Sequence, residues 1–503
     1  MFKSQLYEKS KKSLDNLFFE QRQLKRVIGV FPVDLDYIKD IAHIKRLLER
    51  FCADPKFKKS ILNGDFDIVK EYNIDIDPEE VRFKWDNDYA LKCTKDNIKQ
   101  PLSVQKYQAW IQEKIVHRDQ IREQGAVPEN KKFRIWRERQ NNRIIHRFGV
   151  AKGIRLVHPT FDIELSKGCS GSCWFCGFGA VEKEGDYLYT EENKKEFRDI
   201  LKIFKEILGK GASAGFLYSA SDPLDNKDYE KFMMDYAYLL GAASQITTAL
   251  ATRDIERTRK LLWLNHRLGS DVDRFSVTSL GMLNKIHSNF TPEELLFIEL
   301  LHQNIESTSM MANAGRAVEH ENQMTKKAKS SGNDAYIHQA EENGDTIACM
   351  SGFQLNMFDR TVELITPSES NKKWPNGYWV VNHTKFKDAN DLREIINNWI
   401  EKYMLEELEN DSPIAFLKGY DLEISTDYIS LTSCRSKVEV DYNEVLPGLK
   451  EIASIIDSNK YTAKQIVYIM KEKHNQKESD TWDTLNLLFQ DGLFDEEPDF
   501  FFN

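Results

Sequence analysis

Residues 1–150 form an N-terminal region whose apolar and polar positions follow the period of amphipathic helices. The region has few β-branched runs, so we predict that it is mostly helical. Within it, residues 51–81 begin a helix at Asp54 and Pro55, because aspartate is a good N-cap and proline fits the first helical turn. The apolar positions that follow predict a short helical hairpin.

Residues 151–365 alternate strand-like apolar runs with helical segments, which is typical of βα units. Besides two later runs, the candidate strands are 161–165, 213–219, 245–251 and 274–280. The region is short for a full eight-unit barrel and favours a partial one. Active-site residues of such folds gather at the C-terminal ends of the strands.

Residues 420–495 form a C-terminal unit after a connecting region, 366–419, that we expect to cover the substrate. The runs YDLEISTDYISL and RSKVEV predict a β-hairpin. Three short helices should follow at about 445–457, 462–473 and 479–490, the last ending at a glycine.

Composition excludes several classes of protein. The net charge of −10 gives no overall nucleic-acid footprint. No run approaches membrane-spanning length, and the first twenty residues show no signal-peptide pattern. Seven cysteines, an odd number, argue against a disulfide framework and for a reducing compartment. We expect a cytoplasmic enzyme of roughly three domains that binds neither nucleic acid nor membrane.

The run FRIWRERQNNRIIHRFG is a local exception to the acidic balance. It predicts either a solvated amphipathic helix or a docking surface for an acidic peptide. Its arginines are Arg134, Arg137, Arg139, Arg143 and Arg147.

Three clustered cysteines, Cys169, Cys173 and Cys176, have the spacing C-x3-C-x2-C on a loop rich in Gly and Ser. Thiolates this close can bind an iron–sulfur cluster, zinc or copper(I). A structural zinc needs a fourth ligand, and no Cys or His follows within eighteen residues. Upstream, the nearest is His158, across an apolar run. The set favours a four-iron cluster with one open iron over a partial zinc knuckle or three unrelated buried thiols.

The cysteine spacing, Phe175 before the last cysteine and the preceding strand-like run resemble the radical S-adenosylmethionine (radical SAM) superfamily. The resemblance implies an α/β fold with a partial (β/α)6 barrel. It also implies one [4Fe-4S] cluster whose open iron binds S-adenosylmethionine, and a 5′-deoxyadenosyl radical formed by its one-electron cleavage. Phe175 is then a candidate cofactor contact.

The superfamily's Gly-Gly-Glu-Pro motif, which holds the methionine amino group, corresponds here to residues 219–223, Ser-Ala-Ser-Asp-Pro. Small residues replace the glycines, and Asp222 replaces the glutamate. Ser221 and Asp222 are therefore candidate cofactor contacts, although a plain turn explains the same residues. Further candidates for ribose contacts, on strands where hydroxyl residues are common anyway, are Thr248, Ser276 and Ser279.

The other four cysteines are far apart in the sequence, so we expect no auxiliary cluster. They are Cys52, Cys93, Cys349 and Cys434. Cys349 lies in the strand-like run DTIACMSGFQLNM, where a late barrel strand would end near the active site. Its neutral thiol could donate a hydrogen atom to a carbon radical; a core cysteine on a buried strand is the alternative.

Two segments resemble parts of peptide-maturation systems. Residues 420–495 resemble the PqqD-like winged-helix module, which grips the leader of a precursor peptide by strand addition. A DNA-binding winged helix is the alternative, but residues 477–492 hold one Lys against four Asp or Glu. Residues 51–81 resemble nitrile-hydratase-like and Nif11-like leader peptides, with an ordinary helical hairpin as the alternative.

Over nearly its full length the chain resembles the radical SAM peptide epimerases of proteusin pathways. In that family the adenosyl radical removes the Cα hydrogen of an L-residue in a ribosomal precursor peptide. A cysteine thiol, here Cys349, then returns hydrogen from the opposite face and leaves a D-residue. The resemblance also makes Arg316, in the stretch ANAGR, a candidate for a substrate or cofactor carboxylate and implies an external one-electron reductant.

Two other functions stay open at this point. A radical SAM peptide maturase that forms thioether or carbon–carbon crosslinks would share the barrel and the recognition module. An iron–sulfur DNA-binding regulator would need a basic recognition helix.

Overall fold

The computed structural model describes residues 34–270, 272–309, 312–321, 323, 344–442, 445–458 and 461–498. The first 33 residues of the predicted N-terminal helical region lie outside this description. Among the described residues, no helix has the length and apolar character needed to cross a membrane.

The described part of the N-terminal region is helical, as predicted. Its helices are α1 Leu35–Ala53, α2 Pro55–Leu62, α3 Ile68–Glu71, α4 Asn87–Lys95, α5 Leu102–Gln120, α6 Lys131–Phe148 and α7 Val150–Gly153. The Asp54 carboxylate caps α2 by accepting the backbone N–H groups of Lys56, at 3.0 Å, and Phe57, at 3.2 Å. The helix start expected at Asp54 and Pro55 is therefore confirmed.

The central region combines strands and helices. Its strands are β1 Phe161–Glu164, β2 Ser166–Lys167, β3 Gly185–Asp186, β4 Thr247–Thr248, β5 Asp273–Val277, β6 Ile298–His302, β7 Gly352–Asn356, β8 Thr361–Pro367 and β9 Tyr378–Lys385. Its helices are α8 Glu191–Leu208, α9 Tyr229–Leu240, α10 Ile255–Arg267, α11 Leu280–Asn289 and α12 Ala389–Tyr403. Shorter 3-10 turns lie at Gly209–Ala214 and Pro223–Asp225.

In the described part of this region, three strand pairs are parallel and three are antiparallel. β4, β5 and β6 form one parallel sheet, and β1 pairs in parallel with β7, which continues antiparallel into β8 and β9. A single parallel bridge joins Asp162 of β1 to Phe216. The mixed α/β arrangement agrees with the fold class predicted from the sequence.

The candidate strand 213–219 is largely absent, so that prediction was wrong in extent. Residues up to Ala214 belong to a 3-10 turn, and only Phe216 bridges to β1. The Tyr236 hydroxyl of α9 donates to the carbonyls of Ala212, at 3.0 Å, and Gly215, at 2.9 Å. Because these two carbonyls accept hydrogen bonds from a side chain, this segment does not extend the strand pairing with β1.

The alternation of side chains along β1 sets the polarity of the two sheet faces. Phe161 stacks on Phe204 of α8 with ring centroids 4.1 Å apart, and Ile163 lies in the same apolar core. Successive side chains of a strand point to opposite faces, so Asp162 and Glu164 face away from the helices. We call this side, which β1 shares with its neighbours, the inner face.

The C-terminal unit contains one strand more than predicted. The strands β10 Asp421–Ile424, β11 Tyr428–Thr432 and β12 Lys437–Asp441 form an antiparallel sheet. A turn closed by the Ser425 N–H and the Tyr428 carbonyl, at 2.9 Å, splits the first predicted strand in two. The three predicted helices are confirmed as α13 Leu449–Asp457, α14 Ala463–His474 and α15 Glu478–Gln490.

The arginine-rich run forms α6, but three of its arginines are buried, so both interpretations of the run were wrong for them. Arg137, Arg139 and Arg143 are at most 2% exposed. Each guanidinium donates to backbone carbonyls, Arg143 to that of Pro367 at 2.7 Å. Arg139 also pairs with Glu496 at 3.0 Å. Because one guanidinium has several N–H donors, α6 can connect the sheet to the C-terminal residues.

Candidate functional site

The three clustered cysteines lie on the loop that follows β1 and β2. Cys169, Cys173 and Cys176 are all half-buried. The Gly171 N–H donates to the Cys169 sulfur at 3.3 Å, and the Ala180 N–H donates to the Cys176 sulfur at 3.4 Å. A Cβ added to Gly171 would lie 3.2 Å from the Cys169 sulfur and 3.5 Å from the Cys173 sulfur. The loop thus holds its thiols around a residue without a side chain. We call residues 168–180 the cysteine loop.

The chemistry of these thiols suits a soft metal centre. Burial raises the pKa of Cys169 and of Cys173 to about 12 in the free protein. A metal that binds them as thiolates must therefore displace their protons. Thiolates are soft ligands, and each of the three sulfurs can bind a different iron of one cluster, so the set fits an iron–sulfur cluster.

The cysteine loop is anchored by two residues that the sequence analysis missed. The buried Asp225 carboxylate accepts the Ser170 N–H at 2.8 Å and also accepts the Ser170 hydroxyl. Arg253 donates to Asp225 at 3.1 Å and to the Ser170 hydroxyl at 2.7 Å. The only signal in the sequence is the position of Asp225 two residues after the Asp-Pro turn.

Two predicted cofactor contacts, Asp222 and Thr248, bind each other. The Thr248 hydroxyl donates to the Asp222 carboxylate at 2.7 Å, and the N–H groups of Ala249 and Leu224 donate to it at 2.8 and 3.0 Å. Burial raises the pKa of Asp222 to about 6. The Asp222 carboxylate therefore links the turn at residues 219–223 to β4. Ser221, in the same turn, is buried.

Ser276 and Ser279 lie at the C-terminal end of β5 and just beyond it. Ser276 is buried and faces the inner side, because Phe275 and Val277 belong to the apolar core on the other side. Ser279 caps α11, where its hydroxyl accepts the Met282 N–H at 3.1 Å.

Phe175 lies within the cysteine loop, and Arg316 contacts the loop from outside it. Phe175 is buried and packs edge-on against Trp174, with ring centroids 5.5 Å apart. The backbone N–H of Arg316 donates to the Cys176 carbonyl at 2.9 Å. Its guanidinium donates to the Ala180 carbonyl. In this structure Arg316 thus stabilises the backbone of the loop.

Cys349 lies on a segment that leads away from the cysteine loop. Ile347 packs on Gly177, where an added Cβ would lie 2.5 Å from the isoleucine side chain. Ser351 donates its N–H to the Pro159 carbonyl at 3.1 Å, just before β1 begins. The half-buried Cys349 lies between these two contacts. The segment therefore connects the cluster end of β1 to its opposite end.

The Cys349 thiol is protonated at neutral pH. Burial raises the pKa of this thiol, the Arg274 guanidinium opposes the rise, and the Asp162 carboxylate adds to it. Asp162 and Arg274 are the second residues of β1 and β5, near the N-terminal ends of these strands. The three cysteines, in contrast, follow the C-terminal end of β1.

A pair of buried carboxyl groups on β1 was also missed. Burial raises the pKa of both Asp162 and Glu164, which lie close enough to affect each other. Ser219 donates its hydroxyl to Asp162, and Asn356 donates to Glu164 at 2.8 Å. The alternation of FDIEL, with an acid at every second position, was the signal that could have indicated them.

Comparison with known proteins agrees with this geometry. Residues 163–313 match the family model described as "Radical SAM superfamily". The chain belongs to the radical SAM superfamily. It is 32% identical over 467 residues to the uncharacterized protein y4wI of Sinorhizobium fredii (strain NBRC 101917 / NGR234), which covers 92% of this chain and 88% of that protein. The chain is thus a member of the same family as y4wI.

Among solved structures, the crystal structure of BtrN in complex with AdoMet and 2-DOIA aligns with 28% of this chain and 56% of its own, at 13% identity and a TM-score of 0.22. The matched region of this chain spans β1, the cysteine loop and the strands up to β6. As a radical SAM enzyme, the protein uses a [4Fe-4S] cluster and S-adenosylmethionine.

Proposed function

We propose that this radical SAM enzyme converts L-residues of a ribosomally made precursor peptide into D-residues. The observation that carries the proposal is the position of Cys349. Cys349 lies two residues before Ser351, whose N–H bonds to the Pro159 carbonyl just before β1 begins, whereas the cysteine loop follows the C-terminal end of β1. A substrate carbon between the two would be open to attack from one side and to hydrogen return from the other.

In this proposal Cys169, Cys173 and Cys176 hold the cluster. The cofactor contacts are Phe175, Ser221, Asp222, Thr248, Ser276, Ser279 and Arg316. These residues surround the cysteine loop or the C-terminal ends of β4 and β5, where active sites of this fold class lie. The buried carboxylate of Asp222 holds the turn that carries Ser221 against β4.

When bound, the cluster and S-adenosylmethionine supply a 5′-deoxyadenosyl radical that removes the Cα hydrogen of the bound residue. Cys349 then donates the hydrogen atom: its S–H bond breaks, a Cα–H bond forms, and a thiyl radical is left on the sulfur. An external one-electron reductant and a solvent proton restore the thiol. The raised pKa keeps hydrogen on the sulfur at neutral pH, as a hydrogen-atom donor requires.

The test uses proteusin-type precursor peptides incubated with the reconstituted enzyme in deuterated water. Thiol hydrogens exchange with solvent, so each modified residue should gain a single deuterium at Cα and be recovered as the D-form by chiral amino-acid analysis. Cys349→Ala should abolish this gain although S-adenosylmethionine is still cleaved. Cys434→Ala, at an exposed thiol, is the matched control and should behave like the wild type.

A different product would refute the proposal. Loss of two hydrogens without deuterium at Cα indicates a crosslink, and deuterium uptake that does not depend on S-adenosylmethionine indicates proton transfer to and from a base. Either result would return Cys349 to the role of a packing residue.

We also propose that the C-terminal unit binds the leader of the precursor by strand addition, as a PqqD-like module does. β10 and β12 are the two edges of its sheet, and Glu423 and Glu439 lie opposite Ser430 on either side. An added strand needs free N–H and C=O groups at one of these edges. Proline at the occupied edge should abolish binding of a labelled leader peptide, measured by fluorescence anisotropy. The two variants are Leu422→Pro on β10 and Glu439→Pro on β12, whose N–H groups point away from β11 in the alternating ladder, and each is the control for the other. Unchanged affinity in both variants would refute strand addition.

A further inference from the structure

A row of polar side chains crosses the inner side of β4, β5 and β6. Thr247 lies opposite Arg274, and Arg274 lies opposite Glu299 in the parallel register. Phe275 and Val277 point into the apolar core beside α11, so Arg274 points to the inner face. We call Thr247, Arg274 and Glu299 the inner row.

The contacts of the inner row leave part of the Arg274 guanidinium available. Glu299 lies 3.5 Å from the Arg274 Nε but 3.1 Å from the Lys114 Nζ, so this carboxylate is shared between two cations. The Nε atom of Arg274 is buried and has no hydrogen-bond partner among the described residues, so the donors that a ligand can reach are those of the two terminal nitrogens. The Arg274 side chain also remains 41% exposed. Thr247 is engaged elsewhere, in a hydrogen bond of 2.7 Å with the Tyr218 hydroxyl.

The charge of the Arg274 guanidinium acts on the Cys349 thiol. The positive charge of Arg274 opposes the rise in the pKa of the thiol, and both groups affect the pKa of Tyr218. Arg274 lies two positions before Ser276, and therefore farther from the C-terminal end of β5 where the cofactor contacts are expected. This position makes Arg274 more suitable for a substrate than for S-adenosylmethionine.

We propose that Arg274 is a substrate-binding residue whose guanidinium donates hydrogen bonds to the carbonyl oxygen of the peptide residue that lies over the Cys349 thiol. This inference rests on the proposed function and names the group of the substrate that is recognised. A guanidinium is always charged and presents its donors in a planar fork, which suits a carbonyl acceptor. Every residue of a peptide has this carbonyl, so the contact fixes Cα while leaving the side chain free. Glu299 orients the guanidinium by charge.

The first test needs no precursor peptide. In iodoacetamide the carbon that a thiolate attacks is bonded to an amide carbonyl, and in iodoacetate it is bonded to a carboxylate. The Cα of a peptide residue is likewise bonded to a carbonyl. We would alkylate the reconstituted enzyme without oxygen and measure the modified Cys349 and Cys434 peptides by mass spectrometry. The exposed Cys434 is the internal reference for the two reagents.

The ratio of the iodoacetate rate to the iodoacetamide rate should be higher at Cys349 than at Cys434. Arg274→Gln should lower this ratio at Cys349 by about tenfold or more, the size expected for one lost hydrogen bond to a charged partner. Arg393→Gln removes an arginine of α12 that pairs with Glu206 at 2.7 Å, and it should leave the ratio unchanged. An Arg274→Gln ratio equal to that of the wild type would overturn the inference.

The second test measures modification of the precursor peptides by the same variants. Arg274→Gln should reduce the yield of modified residues by about tenfold to a hundredfold. Arg274→Lys, which keeps the charge but loses the fork, should keep the iodoacetate preference and lose part of the yield. If Arg274→Gln does not fold, the yield of Arg274→Lys is compared with that of the wild type instead. A wild-type yield in both Arg274 variants would contradict the inference.

The two proposals fail in different ways. If the wild type forms a crosslink, epimerisation is refuted, and Arg274 is then judged by the yield of that crosslink in Arg274→Gln. If the wild type forms D-residues and Arg274→Gln does so equally well, only the role of Arg274 is refuted.

Discussion

The anchor of the cysteine loop offers a quantitative test of how the protein holds its cluster. Asp225→Ala removes the acceptor of both the Ser170 N–H, at 2.8 Å, and the Ser170 hydroxyl. A hydrogen bond to a charged group contributes about 1.5–3 kcal/mol, and since Ser170 is half-buried we take the lower value for each, about 3 kcal/mol together. The pair with Arg253 adds below about 1 kcal/mol, because that side chain is 51% exposed.

A loss of this size in the loop should appear in the rate at which the cluster is lost. Each 1.4 kcal/mol corresponds to about tenfold, so a loss of about 3 kcal/mol should accelerate the removal of iron by a ferrous chelator by about a hundredfold. The assay follows the visible absorbance of the reconstituted protein without oxygen after addition of the chelator.

Asp228→Ala provides the matched control for this variant. Asp228 belongs to the same segment and accepts the Tyr189 N–H at 3.1 Å, outside the cysteine loop. Its cluster should be lost at the wild-type rate. If Asp225→Ala also kept the wild-type rate, the Asp225–Ser170 contacts would not stabilise the cluster site, and our account of the loop would be wrong.

Three further outcomes follow from single residues. Thr462→Ala removes the hydroxyl that accepts the Gln465 N–H, which is one half of a capping box, and should destabilise α14 by about 1 kcal/mol, seen as faster amide hydrogen exchange in that helix. Gly315→Ala should lower the iron content, because at a φ of +56° its Cβ would lie 2.4 Å from the Gly177 carbonyl; Gly281→Ala, with no atom nearer than 3.8 Å, should not. Burial raises the pKa of Asp273 to about 6, so the folded state keeps a proton that the unfolded state has lost. The contribution of Asp273 to stability should therefore fall by at most about 3 kcal/mol as pH rises from about 4 to about 6, and the difference in the free energy of urea unfolding between the wild type and Asp273→Asn should change by that amount.

Features whose cause lies within a few residues could be predicted from the sequence. Asp54 begins α2 and Thr462 begins α14 because each side chain binds backbone N–H groups two or three residues later. The cysteine loop could be predicted for the same reason, since its three thiols and the preceding strand lie within one short segment of the sequence. The superfamily and its cofactors followed from that segment alone.

Features that depend on distant partners could not be predicted in this way. The strand expected at 213–219 is shortened by the hydroxyl of Tyr236, which belongs to a later helix. Arg143 is buried because the Pro367 carbonyl, 224 positions away, accepts its N–H. Asp225 anchors the loop from 55 positions away. A sequence shows the donors and acceptors, but only the fold shows which of them meet.

The buried arginines of α6 make the C-terminal unit difficult to remove or exchange. Arg139 is fully buried, and Glu496, after the last helix, is the carboxylate that pairs with it. Loss of the Glu496 carboxylate alone would leave the buried Arg139 charge without its partner, which typically costs about 3–5 kcal/mol. Exchange of the C-terminal residues would therefore keep this ion pair only if α6 were exchanged with them or a carboxylate were kept at position 496. We expect α6 and the residues after the last helix to be inherited together.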